Sequence, residues 1–297
     1  MGALEVAARH ARRQVALARR AALEVARLWA RVDRQAIGPS WAASLPAAVQ
    51  VLGSAQAIAA ASSGVYLGDL LDEYGLPGDA DGRIVAEAFA GVASDGRDLA
   101  ALLYQPAVVA LTSLKQGSTE ARAMAAGRFT LDMISRTQVA DAGRAADGVA
   151  LTVRPQLSGY VRMVVGGTCA RCLILAGRFY RWNAGFRRHP RCDCRHIPAP
   201  EDAAGDLTTD PKAAFEAMPA EEQERVFGRA GAEAIRDGAD MAKVVNARRG
   251  MQVAGGRLFT TEAAGRRPRL MPEQAYREAN GNRDEAIRLL RLHGYIR

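Results

Sequence analysis

Apolar positions recur with a helical period at the start of the chain. Between residues 3 and 34 they step by three or four, and this spacing predicts one long helix with the seam of a coiled coil or a tightly packed helical hairpin. The seam consists of Ala8, Ala11, Val15, Ala18, Ala22, Val25, Trp29 and Val32. Arginines occupy the opposite faces, which we interpret as a solvated surface, with a partner-binding arm as the alternative.

The same period predicts further helices up to residue 146. Gly38 and Pro39 should end the first helix, and Pro46 should start the second, because proline suits the first helical turn. The turn-forming residues at 74–82 predict an exposed loop, and Pro106 should kink the helix that contains it. The predicted helices cover residues 46–62, 83–92, 97–114 and 118–146.

The pattern changes after Gly148 to one that is typical of strands. Residues 160–165 and 178–182 are rich in β-branched and aromatic side chains, and Cys169 and Cys172 lie between these two predicted strands. A two-stranded ribbon is only marginally stable alone, so it needs packing partners or a metal ion.

The remainder of the chain is again predicted to be helical, after an acidic linker at 198–211. Its predicted helices cover residues 210–215, 219–227, 231–237 and 240–247, and a last helical segment starts at residue 271 and ends at Gly294. We therefore expect a mainly α protein of the α+β class. Its β part should be a small ribbon that resembles a zinc knuckle. The predicted regions are a helical region at 1–117, a core at 118–200 and a helical region at 201–297.

Composition supports close helix packing, because 49% of residues are apolar but only 6% are aromatic. No apolar run approaches the roughly 18 residues that a membrane-spanning helix needs. The arginine-rich N-terminus carries acidic residues and lacks the architecture of a cleavable signal, so we expect a cytoplasmic product without a membrane partner.

Net charge is concentrated in one segment. Residues 151–200 contain nine arginines and one acidic residue, Asp193. The net charge of this segment is therefore +8, the same as the net charge of the whole chain. Such a segment indicates a polyanion or an acidic protein surface as a partner.

The four cysteines of the chain are clustered. Cys169 and Cys172 have the spacing at which two thiolates reach one zinc ion, and the remaining ligands would come from His189, Cys192, Cys194 and His196. Structural zinc is the favoured interpretation, and disulfides or inert buried thiols are the alternatives. Because Asp193 is the only carboxylate near this cluster, we expect a closed site without catalytic residues. Common motifs of hydrolases and nucleotide-binding loops are absent from the sequence.

Three segments resemble the Mu F-like minor head proteins of tailed bacteriophages, over about residues 136–200. They are Cys169-x2-Cys172, Leu175-Ala-Gly177-Arg-Phe-Tyr180 and His189-Pro-Arg-Cys-Asp-Cys194. Residues 234–250 are similar to actinobacteriophage members of that family.

The resemblance implies a structural protein of the virion. Such a protein is made in the cytoplasm of the bacterial host, lies near the portal in few copies, and assists head assembly and genome packaging or delivery. Its implied partners are the portal and major capsid proteins. The alternative is an enzyme, either a capsid maturation protease or a metal-dependent nuclease in which His189 and His196 hold the metal.

Five arginines are predicted to form a surface patch, because unpaired guanidinium groups are costly to bury. They are Arg178, Arg181, Arg187, Arg188 and Arg191. Without a base-reading helix, the patch should contact DNA phosphates regardless of sequence, or else dock on acidic surface of the portal or capsid.

Overall fold

The chain is mainly α-helical with two small three-stranded antiparallel sheets, which confirms the predicted fold class. The computed structural model describes residues 2–163, 169–184, 194–207, 210–262 and 268–296. Its helices are α1 Ala3–Trp29, α2 Ile37–Tyr74, α3 Leu99–Leu103, α4 Gln105–Lys115, α5 Glu120–Thr152, α6 Ala170–Leu173, α7 Pro211–Glu216, α8 Ala220–Phe227, α9 Arg229–Arg236, α10 Met241–Ala247, α11 Pro272–Ala279 and α12 Arg283–Leu292. Its strands are β1 Gly159–Met163, β2 Phe179–Arg181, β3 Arg195–Ala199, β4 Met251–Ala254, β5 Arg257–Thr260 and β6 Arg269–Leu270.

The chain forms two compact units, neither of which is continuous in sequence. The first unit contains residues 1–165 and 178–208, and the second contains residues 166–177 and 209–297. Helices α1 to α5 and strands β1 to β3 therefore belong to the first unit, and α6 belongs to the second.

Helices α1, α2 and α5 pack against one another to form the body of the first unit. Six of the eight positions of the predicted seam are buried, and Ala8 and Val15 are half-buried. Val25, at 0% exposure, lies in one core with fully buried Leu52 of α2 and Leu131 of α5. Small residues let these helices approach closely. At Gly127 of α5 a Cβ atom would collide with the indole of Trp29, whose Nε1 donates to the carbonyl oxygen of Met124 at 3.1 Å.

Helix α2 is longer than predicted, because it runs from Ile37 to Tyr74 with Pro46 inside it. Pro46 removes one backbone hydrogen bond, but the helix is held on both sides of it by fully buried side chains, Trp41 before it and Leu52 after it. The helix ends at Gly75, which has a φ of 65° and lies at the predicted loop.

Among the described helices, α2 is long and apolar enough to cross a bilayer by length and composition, although no long apolar run is expected from the sequence. A window of 18 residues within its 38 has a mean hydropathy of 1.2. Its polar residues bond to neighbouring elements, since Gln56 Nε2 donates to the carbonyl oxygen of Val92 and Ser63 Oγ donates to Asp147. The packing is that of a central helix in the first unit.

Strands β1 to β3 form a sheet in the order β2-β1-β3, so the predicted two-stranded ribbon gains a third strand. Tyr160 of β1 pairs with Tyr180 on one side and with Pro198 on the other. All five residues of β3 are buried, because this strand contacts α1, α2 and α5. The sequence of β3, Arg-His-Ile-Pro-Ala, has neither the alternation nor the apolar run that predicts a strand, so the sequence indicates metal ligands followed by a linker at this place.

The second unit contains the predicted C-terminal helices around a core that includes Phe215, Phe227, Leu290 and Tyr295. It also contains an unpredicted sheet in the order β4-β5-β6. The turn between β4 and β5 is Gly255-Gly256, with φ angles of 57° and 74°. This two-glycine turn is a hairpin signal in the sequence.

Candidate functional site

Three of the five predicted metal ligands lie in described parts of the chain. Cys169 immediately precedes α6, Cys172 lies on α6 and is 2% exposed, and Cys194 immediately precedes β3 and is also 2% exposed. His189 and Cys192 lie outside the described residues. Cys169 and Cys172 belong to the second unit, whereas Cys194 belongs to the first.

The Cys-x2-Cys pair lies on a single helical turn and not on the predicted turn of a ribbon. The backbone amide of Cys172 donates to the carbonyl oxygen of Cys169 at 3.0 Å, a spacing that places the two side chains on the same face. The turn is anchored by Ala170 and Leu173, which are part of the core of the second unit. The sequence predicts a ribbon turn here because the apolar contacts of this short helical turn are not visible in it.

Two guanidinium groups contact Cys194. Arg162 Nη2 lies 3.4 Å from its Sγ, and Arg144 Nη1 donates to its carbonyl oxygen at 3.4 Å. Positive charge beside a sulfur stabilises the thiolate, which is the form that binds metal.

Within the described ranges, no group of three or more His, Cys, Asp or Glu side chains could hold a metal ion. Two of the predicted ligands, His189 and Cys192, lie outside those ranges. Zinc bound by Cys169, Cys172 and the His189, Cys192 and Cys194 group stays a prediction.

The arginines of residues 151–200 are not all on the surface. Arg162 and Arg195 are each 2% exposed, so the local charge of the sequence overstates the local charge of the surface. Both lie in the sheet, where β1 is central and β3 packs on the helices. Two residues of the predicted patch, Arg178 and Arg181, lie in described ranges and are exposed. The Nη2 atom of Arg181 lies 3.9 Å from the Oε2 atom of Glu201.

The remaining patch residues, Arg187, Arg188 and Arg191, lie outside the described residues. The patch itself therefore stays a prediction.

A buried polar cluster, which sequence reasoning missed, joins the helices to β3. Asp147 of α5 is 1% exposed, accepts a hydrogen bond from Ser63 Oγ at 2.7 Å, and lies 3.5 Å from His10 Nε2. Tyr66 stacks on His10 at 3.9 Å, and its hydroxyl donates to the carbonyl oxygen of His196 at 2.8 Å. The sequence carries only a weak signal for this cluster, because His10 and Asp147 share their helix faces with other buried polar residues, Gln14 and Arg144.

The electrostatics of this cluster favour an ionised carboxylate. Burial alone would raise the pKa of Asp147, but contacts with His10 and Ser63 hold that pKa below its ordinary value. Burial, followed by the charge of Asp147, raises the pKa of Tyr66 well above its ordinary value. Tyr66 therefore stays a neutral donor to β3 at physiological pH.

The Ser63, Asp147 and His10 contacts do not form a serine nucleophile. In the catalytic arrangement the histidine stands between serine and carboxylate, whereas here Asp147 stands between Ser63 and His10. Ser63 is also 0% exposed. The cluster is suited to fastening elements together.

Comparisons of the chain with models of protein families, with curated proteins and with solved structures give no match.

Proposed function

We propose that this chain is a minor head protein of a tailed bacteriophage, a structural component of the virion near the portal. It assists head assembly and genome packaging or delivery, and its partners are the portal and major capsid proteins. The observation that carries the proposal is the combined pattern of Cys169-x2-Cys172 and His189-Pro-Arg-Cys-Asp-Cys194, which resembles Mu F-like proteins.

The attachment of β3, which directly follows the second part of that pattern, supports a structural role. Tyr66 and Tyr74 of α2 donate hydrogen bonds to the carbonyl oxygens of His196 and Pro198, at 2.8 and 2.9 Å. The rings of Tyr160 and His196 lie 4.0 Å apart. Side chains from the helical body thus hold the end of the motif in a fixed position.

Zinc has a structural place in the proposal. The pair Cys169 and Cys172 and the group His189, Cys192 and Cys194 would supply its ligands, and a closed set of four such ligands stabilises a fold without opening a position for catalysis. Within the described residues, the arginines around Cys194 are compatible with a thiolate ligand.

The proposal is tested by co-expressing the full chain with the portal and major capsid proteins of the phage that encodes it. We expect the chain to co-purify with portal assemblies or heads in few copies, and the capsid protein to stay uncut. Failure to associate with either partner would contradict the proposal.

Cleavage of the capsid protein that depends on the chain would instead favour the maturation protease, and metal-dependent loss of DNA would favour the nuclease. Both outcomes are read from the same preparation, by gel electrophoresis of its protein and its nucleic acid.

A further inference from the structure

A cleft of about 410 Å³ opens in the first unit, where the end of α5 meets the sheet. The side chains important to its chemistry are Arg154, Ser158, Arg181, Trp182 and Glu201. We call it the Trp182 cleft. Its size is within the range of pockets that hold small organic ligands.

Trp182 exposes an aromatic surface at this cleft. Its side chain is 53% exposed, whereas Trp29 and Trp41 are 2% and 0% exposed. The backbone of Trp182 is fixed, because its amide donates to the carbonyl oxygen of Ser158 at 3.1 Å. Gly159 allows β2 to approach closely, since a Cβ atom there would collide with the carbonyl oxygen of Tyr180. The indole is therefore presented from a defined position on the sheet.

Hydrogen-bond donors line the same cleft. Arg154 Nη1 donates to the carbonyl oxygen of Ala150 at 3.0 Å, but Arg154 Nε and Ser158 Oγ are buried and have no hydrogen-bond partner among the described residues. Buried polar atoms normally have a partner, so these two donors are satisfied by a water molecule or by an acceptor atom of a ligand in the cleft.

Arg181 adds a cation at the rim of the cleft. Its side chain is 74% exposed and lies 3.9 Å from the carboxylate of Glu201, which is 66% exposed. At this distance and exposure the two groups attract each other only weakly, so Arg181 can turn toward an anionic ligand.

An aromatic ring beside two arginines fits a nucleotide. The bases of a duplex are stacked on each other, so their faces are closed to a protein ring, whereas an unpaired base can stack on it. We propose that the Trp182 cleft binds single-stranded nucleic acid, with an unpaired base on Trp182 and the adjacent phosphates on Arg154 and Arg181. This extends the proposed function, but it does not depend on association with a portal or capsid.

The test uses the intrinsic fluorescence of the full chain at low salt. Trp182 is the exposed tryptophan, so stacking of a base should quench emission without contributions from the two buried indoles. The probes are a short oligo(dT), an oligo(rU) of the same length and a blunt duplex of that length. We expect at least one of the two single strands to bind at least about tenfold more tightly than the duplex. The difference in affinity between oligo(dT) and oligo(rU) shows whether the cleft prefers DNA or RNA.

The variants assign this binding to the cleft. With a labelled single strand, Trp182→Ala should weaken affinity by about fivefold to 100-fold, whereas Trp182→Phe should retain most of it because a ring remains. Phe129→Ala is the matched control, since Phe129 is another exposed aromatic residue, at 59%, and does not line the cleft. Its affinity should match that of the unaltered chain.

Two results would overturn the inference. One is the absence of binding to either single strand at low salt. The other is equal affinity for duplex and single strand with no effect of Trp182→Ala, which would leave only phosphate contacts. The co-purification described above is independent of both results, so a failure of this inference is distinguishable from a failure of the proposed function.

Discussion

Asp147 is the residue on which the buried polar cluster of the first unit depends, because its carboxylate contacts both Ser63 and His10. Its pKa is held below the ordinary value of 3.8 in the folded chain, so folding favours its ionised form. The resulting stabilisation is fully present above the pKa of the unfolded chain and is lost as the pH falls through the folded pKa.

Replacing this carboxylate should therefore have a pH-dependent effect. At neutral pH, Asp147→Asn should lower the free energy of unfolding by about 2 kcal/mol, because hydrogen bonds to a charged acceptor are lost. The difference from the unaltered chain should shrink as the pH falls below about 4. Urea unfolding of the full chain at a series of pH values measures both effects.

The matched control is Asp69→Asn, since Asp69 is a partly exposed partner of Arg9 at 3.4 Å. Its effect should stay below about 1 kcal/mol, as for other surface pairs. Equal effects of the two substitutions at neutral pH would show that the buried cluster does not stabilise the fold as described.

Two glycines inside α5 allow a prediction at the scale of the element. At Gly127 a Cβ atom would collide with the indole of Trp29, whereas at Gly148 a Cβ atom would meet nothing within 4 Å. Gly127→Ala should destabilise the chain by about 1–3 kcal/mol through overpacking. Gly148→Ala should stabilise it by up to about 1 kcal/mol, because alanine favours the helix.

Thermal unfolding of both variants provides the measurement. Each variant is the control for the other, because the two predicted changes in stability have opposite signs. Stabilisation by both substitutions would mean that helix propensity outweighs the contact with Trp29. In that case α1 and α5 would have to separate at low cost to accommodate the added methyl group.

The segments around the cysteines carry the metal prediction. The reduced, purified chain should contain about one zinc ion, by elemental analysis, if Cys169 and Cys172 are completed by ligands from the His189, Cys192 and Cys194 group. A strong chelator should then remove the zinc and unfold β1 to β3 before the helices, because metal binding and local folding are coupled.

The loss of strand signal can be followed by circular dichroism during chelation. Cys172→Ser should reproduce it without chelator, whereas Ser118→Ala, at a turn far along the sequence from the cysteines, should leave zinc content unchanged. A reduced chain that is folded and free of metal would contradict the prediction.

At the scale of the whole molecule, the arginine patch predicts that the affinity of the chain for duplex DNA depends on salt concentration. Phosphate contacts make the logarithm of affinity fall with the logarithm of salt concentration by about 0.9 per contact. Replacing Arg187 and Arg188 by alanine should lower that slope by up to about 2 and weaken binding to every duplex alike. Arg171→Ala is the control, since Arg171 is exposed but belongs to the second unit.

Affinity that is unchanged in the double variant would exclude these two arginines as a DNA site. The arginine patch would then be a binding surface for a protein partner, because an acidic surface of the portal or capsid would attract the same positive charges. Fluorescence anisotropy of a labelled duplex at several salt concentrations provides the slope.

The helical parts of the fold could be predicted because their information is local. Periodic burial along α1 and the turn at Gly75 are visible in the sequence, and both are present in the structure. The position of β3 depends on contacts with helices more than a hundred residues away, such as the bond from Tyr66 to His196. Arg162 and Arg195 are buried as well, although both count toward the net charge of residues 151–200.

The candidate site was predictable only in part. The spacing of Cys169 and Cys172 is a local signal, whereas the Asp147 cluster joins three helices and has no motif. The exposure of Trp182 could not be deduced either, since Trp182 directly follows β2 and the sequence does not show which elements cover the end of that strand.

The path of the chain through its two units has a practical consequence for anyone dissecting the protein. The backbone passes from one unit to the other at 165/166, 177/178 and 208/209, so no single cut separates two self-contained fragments. A fragment that stops at residue 208 would retain α6 but lose the core that covers Ala170 and Leu173. Those side chains would then be exposed to solvent, and the fragment would be prone to aggregation. Deletion mapping of partners by simple truncation would consequently report misfolding in place of lost binding.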